Sequence, residues 1–237
     1  MRELCLRCFR PISNCYCRYA SDVDSGIKFV FLMHPKEAKR QRTGTGRLAS
    51  ICLPGSEIIM GIDFTQNERL NSLLNDERYF PMLMYPGEDA WNCGRQGFKE
   101  AVGNKQPLVI IIDSTWFCSK KMIRLSKNLH KLPKLSFKGS YKSIFTFKKE
   151  PYDYCVSTIE SCYYIIKELQ SCSLAKAECS PEPLMYIFRK MIEFQLSKEN
   201  ERIESGLPGS HAYDWKYTRK KEIPNLKAEA ASPKSES

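Results

Sequence analysis

No apolar stretch in the 237-residue chain approaches the roughly 18 residues needed to cross a bilayer, which sets membrane-spanning classes aside. The start of the chain shows no apolar signal region either, because cysteines begin at Cys5, so the sequence reads as a cytoplasmic protein with no membrane partner. No segment repeats another, which leaves repeat architectures without support. Histidine is scarce: His34, His130 and His211 are the three, and none has a partner that the sequence names. Acidic residues fall short of basic ones, 27 against 37, giving a net charge of +10. An excess of that size calls for a polyanion, with nucleic acid ahead of an anionic membrane surface.

Cysteine, by contrast, is plentiful, at an odd count of 11. Most are scattered singly through apolar or helical stretches, as at Cys52, Cys118, Cys155 and Cys162, which suits reduced, buried thiols better than a disulfide framework. The first four differ. Cys5-x2-Cys8-x6-Cys15-x-Cys17 brings four soft ligands into thirteen residues, the donor set of a tetrahedral structural Zn²⁺ with no position left for a catalytic water. Such a metal orders a segment too short to build its own core.

With 42% apolar residues the chain can bury one good core, so one main domain with appendages is expected. Residues 27–33, 57–62, 82–85, 108–112 and 143–147 read as strands, and residues 47–52, 118–132, 158–170 and 184–198 as helices. Their alternation predicts an α/β fold, a largely parallel sheet with flanking helices. The expected division is a zinc-binding segment at 1–24, an α/β body at 25–204 and a basic tail at 205–237 whose end is disordered. In that tail Tyr213, Trp215 and Tyr217 interleave with Lys216, Arg219, Lys220 and Lys221, either stacking on bases or packing on the domain.

The most telling strand is 108–112, Leu-Val-Ile-Ile-Ile, which ends on Asp113-Ser114-Thr115-Trp116. An unbroken apolar run fits a strand buried on both faces, and a carboxylate at its carboxyl end stands where open α/β sheets place their chemistry. Capping of the following helix is the competing role for Asp113. Along that helix Cys118, Met122, Leu125, Leu129 and Leu132 predict a buried stripe, with Lys120, Arg124, Lys127 and Lys131 opposite, a solvated face or an RNA contact. Thr45-Gly46 opens a helical stretch after a Gly-containing turn, and Ser157-Thr158-x-Glu160 has the form of a helix N-terminus with a capping carboxylate.

The tetrapeptide at 113–116 resembles the signature of the DTW-domain proteins, the family of tRNA-uridine aminocarboxypropyltransferases. Four further segments agree in the same order: the cysteine cluster with Arg10-Pro11, His34-Pro35-x-Glu37 with Thr45-Gly46-Arg47-Leu48-Ala49, Phe147-Lys148-Lys149-Glu150-Pro151, and Ser157-Thr158-x-Glu160. Departures are Gly44 where the family usually has Asn, Ser114 where Gly is commoner, and Lys148 where Arg is usual. The first removes one expected polar contact.

The resemblance implies a SPOUT-like fold with a trefoil knot toward the C-terminal part of the sheet. It implies transfer of the 3-amino-3-carboxypropyl group of S-adenosyl-L-methionine to N3 of a tRNA uridine, with release of 5'-methylthioadenosine. Asp113 is then the catalytic candidate, and Thr45, Gly46, Asp113, Ser114, Thr115, Trp116, Ser157, Thr158 and Glu160 form the S-adenosylmethionine pocket. Arg47, Lys120, Arg124, Lys127 and Lys131 become the RNA-contacting candidates, tRNA the partner, and a homodimer an option shared with many SPOUT-like enzymes. Two other functions stay open: a SPOUT-type RNA methyltransferase, and a non-catalytic zinc-containing RNA-binding module.

Overall fold

A computed structural model describes residues 3–40, 44–145 and 155–207. Lys148 and the aromatic-basic tail therefore lie outside the described residues. Five parallel strands, β1 (Lys28–Met33), β2 (Glu57–Met60), β3 (Tyr79–Met84), β4 (Gln106–Asp113) and β5 (Lys134–Leu135), form one sheet in the order β2-β1-β4-β3-β5. Among the described residues seven α-helices accompany them: α1 (Pro35–Arg40), α2 (Thr45–Ser50), α3 (Glu68–Leu74), α4 (Phe98–Val102), α5 (Trp116–Leu125), α6 (Thr158–Ser171) and α7 (Glu182–Glu204). The expected α/β class with a parallel sheet is what the chain adopts.

Central β4 pairs with β1 from Lys28↔Leu108 to Met33↔Asp113, and with β3 on its other side. Its unbroken apolar run serves two cores because alternate side chains point to opposite faces. Val109 and Ile111, with Phe29 and Phe31, pack into the larger core shared with α2, α6 and α7. Leu108 and Ile110, with Val30 and Leu32, pack against Leu70 and Leu73 of α3 and Met122 of α5. Cys8, Tyr16 and Val23 are buried in the larger core, where the Tyr16 ring meets Phe194 of α7 edge-on at 6.0 Å. The cysteine segment is thus packed on the body of the protein.

Three expectations change. Residues 143–145 carry no strand; the fifth strand is the two-residue β5, too short for any periodicity to reveal. The helix expected at 118–132 ends at Leu125, and a 3-10 turn, Lys127–Lys131, replaces its second half. The break has an identifiable cause: fully buried Ser126 accepts the Phe64 N–H at 3.0 Å, while the Thr65 hydroxyl donates to the Leu125 carbonyl at 3.1 Å and accepts the Lys127 N–H at 3.0 Å. A neighbouring loop thereby takes over the backbone groups that would have continued the helix. Finally, Cys93 and Cys172, 79 positions apart, form a disulfide, although Cys52, Cys118, Cys155 and Cys162 form none, as expected, with Cys118 only partly buried. None of the helices described is long and apolar enough to span a membrane.

Candidate functional site

Asp113 closes β4 beside Met33 at the end of β1, and the residue is 6% exposed. It does not cap α5. Thr115 does, accepting the Cys118 N–H at 3.4 Å, so the carboxylate is left for other contacts. The Thr158 hydroxyl donates to Asp113 Oδ1 at 2.7 Å. On the other side lies Gly46, so close that a Cβ there would sit 2.4 Å from Asp113 Oδ2. Any side chain at position 46 would overlap the carboxylate, which is a physical reason for glycine at this step of α2. Three segments remote from one another in sequence therefore meet on one carboxylate.

The same place gathers the N-termini of α2, α5 and α6, whose first turns begin at Thr45, Trp116 and Thr158. Unpaired N–H groups and the positive ends of helix dipoles favour an anion there, Asp113 first. Thr45 is buried at the start of α2, Ser114 is partly buried, and the Trp116 ring leans on Tyr85 with 6.4 Å between centroids. Cys162, fully buried on α6, has its thiol pushed well up by burial and by the Asp113 charge, so it stays protonated.

Glu160 belongs to the layer behind. It is fully buried, with Oε1 accepting the Ile144 N–H at 2.7 Å and Oε2 accepting from the Ser143 hydroxyl, the Ser157 N–H and the Ser157 hydroxyl at 2.7, 2.8 and 2.6 Å. The capping box read from the sequence is present, and it also ties down the loop before α6. Ser143 and Ile144 were invisible to sequence reasoning, since nothing local marks a loop that satisfies a distant carboxylate. The loop next to them is held similarly, with Glu168 accepting from the Lys138 and Gly139 N–H groups and the Tyr141 hydroxyl.

His34 behaves as a structural residue. Its backbone N–H donates to the Asp113 carbonyl at 3.1 Å and its Nδ1 accepts the Lys36 N–H at 3.1 Å, anchoring the start of α1. Burial, then Lys36 and Lys121, push its pKa down, so the imidazole is neutral at physiological pH.

At the N-terminus the four sulfurs of Cys5, Cys8, Cys15 and Cys17 lie within 4.8 Å of one another, with Cys5···Cys17 at 3.8 Å and Cys8···Cys15 at 3.7 Å. Zn–S bonds of about 2.3 Å in a tetrahedron put sulfurs about 3.8 Å apart, so this donor set fits that ion. Backbone amides of Cys8 and then Arg7 hold the Cys5 thiol down at about 6, as suits a thiolate ligand, whereas burial raises Cys15 and Cys17 in the absence of a cation. The turn that makes this possible puts Phe9 at φ 57°, a left-handed conformation rare for a bulky residue.

The basic candidates do not form one cluster. Lys120 and Arg124 are exposed on α5, whereas Lys127 and Lys131 stand beyond the helix break, in the 3-10 turn. Arg47 lies on the other face of the sheet with its guanidinium 5.1 Å from the centre of the Phe9 ring.

The DTW domain, as a family, matches residues 2–196, most of the chain and every site described above. The chain belongs to the DTW-domain family. Among curated relatives, a mouse protein named tRNA-uridine aminocarboxypropyltransferase 2 is 26% identical over 200 residues, covering 82% of this chain and 64% of its own length. A fruit-fly protein of the same name is 25% identical over 175 residues, covering 72% and 68%. The crab-eating macaque relative repeats the mouse figures, at 26% over 200 residues. The chain thus spans just under two thirds of the mouse and macaque proteins. No solved structure matches it.

Proposed function

We propose that this chain is a tRNA-uridine aminocarboxypropyltransferase that uses S-adenosyl-L-methionine, acts on N3 of a uridine and releases 5'-methylthioadenosine. The observation that carries the reading is the meeting of Gly46, Asp113 and Thr158 on one buried carboxylate, for these are residues of three separate DTW segments. The names of the relatives support the reaction, and tRNA as partner agrees with the net charge of +10. A SPOUT-like knotted chain belongs to the same proposal, and the parallel sheet agrees with its α/β class.

Thr45, Gly46, Ser114, Thr115, Trp116, Ser157 and Thr158 would hold the S-adenosylmethionine, and the chemistry of the site suits it. Three helix N-termini favour its carboxylate and Asp113 favours its ammonium group. When bound, its sulfonium supplies an electrophilic carbon. The protein's task is to present the arm rather than the methyl group to the uridine, which is a matter of geometry. Asp113 has one oxygen committed to Thr158 and the other pressed against Gly46, so its contribution is charge and position rather than free proton transfer. Glu160 acts through the loop and helix cap that it fixes. The cysteine cluster takes a structural Zn²⁺.

Incubation of the protein with unmodified tRNA and S-adenosylmethionine, followed by digestion and nucleoside mass measurement, tests the reading. A uridine heavier by the aminocarboxypropyl group supports it. A methylated nucleoside would replace it with the methyltransferase reading, and no new mass with several tRNA pools would favour the binding module.

A further inference from the structure

Phe117 is 85% exposed, directly after the Asp-Ser-Thr-Trp segment. As the second residue of α5 it plays no part in the cap, which Thr115 makes, and phenylalanine is only a middling helix former, so nothing local favours it there. Lys120, Lys121 and Arg124 follow it at i+3, i+4 and i+7, and all three are exposed. That spacing sets the four side chains in one stripe, roughly opposite buried Met122. Among the described residues none of these cations is in an ion pair and no ring covers Phe117. The stripe starts four residues from Asp113, and Lys121 is near enough to His34, at the end of β1, to weigh on its imidazole.

We propose that Phe117, Lys120, Lys121 and Arg124 form a stacking platform that holds an unpaired nucleotide of the tRNA beside the uridine to be modified. An exposed aromatic face accepts any base, and the cations behind it run along the phosphates that flank that base. The charge is complementary, and the platform adjoins the carboxylate around which the chemistry is built. A uridine whose N3 must be reached has to leave its pairing and stacking, and a neighbour held on Phe117 keeps the strand open at that point. The proposal rests on the aminocarboxypropyltransferase reading and adds to it the part of the surface that receives unpaired RNA.

Binding of unmodified tRNA to the whole 237-residue chain, followed by fluorescence anisotropy over a series of salt concentrations, separates stacking from charge. Phe117→Ala should weaken binding about tenfold with an unchanged salt slope, and Phe117→Tyr should restore it. Lys121→Ala should lower the slope of log affinity against log salt by about 0.7 to 0.9. Affinity of Phe117→Ala equal to that of the unaltered protein overturns the platform, as does a failure of tyrosine to rescue it. Loss of binding to phosphatidylserine vesicles with tRNA binding intact overturns it in favour of a membrane surface. The two levels stay distinguishable: a protein that modifies tRNA while Phe117→Ala does so equally well at limiting tRNA loses the platform alone. A protein that neither binds nor modifies tRNA loses both.

Discussion

At the scale of single residues, the account turns on contacts around Asp113. Gly46→Ala places a methyl group where the carboxylate lies, so either α2 or Asp113 must shift. We expect activity to fall at least a hundredfold, since misplacement by about 1 Å costs that much, with the melting temperature lowered as well. Thr158→Val keeps the shape and removes the hydroxyl that donates to Oδ1, leaving a buried acceptor short of one bond. It should cost about 1 to 3 kcal/mol in stability, read by urea titration, and slow turnover further than that loss explains. The place of Asp113 at the end of a buried strand was legible from the apolar run before it, while its candidacy for catalysis came from the family resemblance. Its dependence on Gly46 and Thr158 was not, since both contacts exist only once the sheet has brought remote segments together. The part Glu160 plays needed the structure too: the resemblance put it in the pocket, and a capping box looks the same whether or not a second loop uses the same carboxylate.

At the scale of elements, the strands and longer helices followed from apolar periodicity, and the failures came where short tertiary contacts override it. The helix after the signature stops because the Thr65 hydroxyl takes the Leu125 carbonyl and the Lys127 N–H, a constraint held by a loop about sixty residues away. β5 escaped notice because two residues carry no period. Glu160→Gln tests the joint between α6 and its preceding loop: an amide would turn one acceptor into a donor facing donors. A loss of about 1 to 3 kcal/mol in denaturant titration is expected, with faster hydrogen exchange at Ile144 and Ser157. A second joint links Lys28 of β1 and Glu57 of β2 with Arg69 at the start of α3. Hydrogen bonding from Arg69, then Lys28, holds the Glu57 carboxyl down at about 2 against an ordinary 4.5. With the folded value depressed, this contribution is complete above about 4.5 and is lost as pH falls toward about 2. Glu57→Gln should therefore reduce stability at neutral pH and flatten its decline across that acid window, which thermal melts at stepped pH will show.

At the scale of the whole molecule, one parallel sheet carries both the carboxylate site and, through α7, the docked cysteine segment. Four sulfurs with tetrahedral spacing predict one zinc per chain by elemental analysis. Cys15→Ser, or a strong chelator, should release it and lower the melting temperature, because the segment then loses what orders it against Tyr16 and α7. That cluster was the easiest feature to read, since ligand chemistry and spacing lie within thirteen residues. The basic surface was harder to place: sequence spacing ran Lys120 to Lys131 along one imagined helix, while the folded chain keeps only Lys120 and Arg124 on α5. The measurement that bears most directly on the account compares nucleoside masses from unmodified tRNA treated with S-adenosylmethionine and either the unaltered protein or Asp113→Asn. Aminocarboxypropyl-uridine from the first and none from the second, both folded by circular dichroism, is the predicted result. Equal yields from the two, or a methylated product from the unaltered protein, would contradict it.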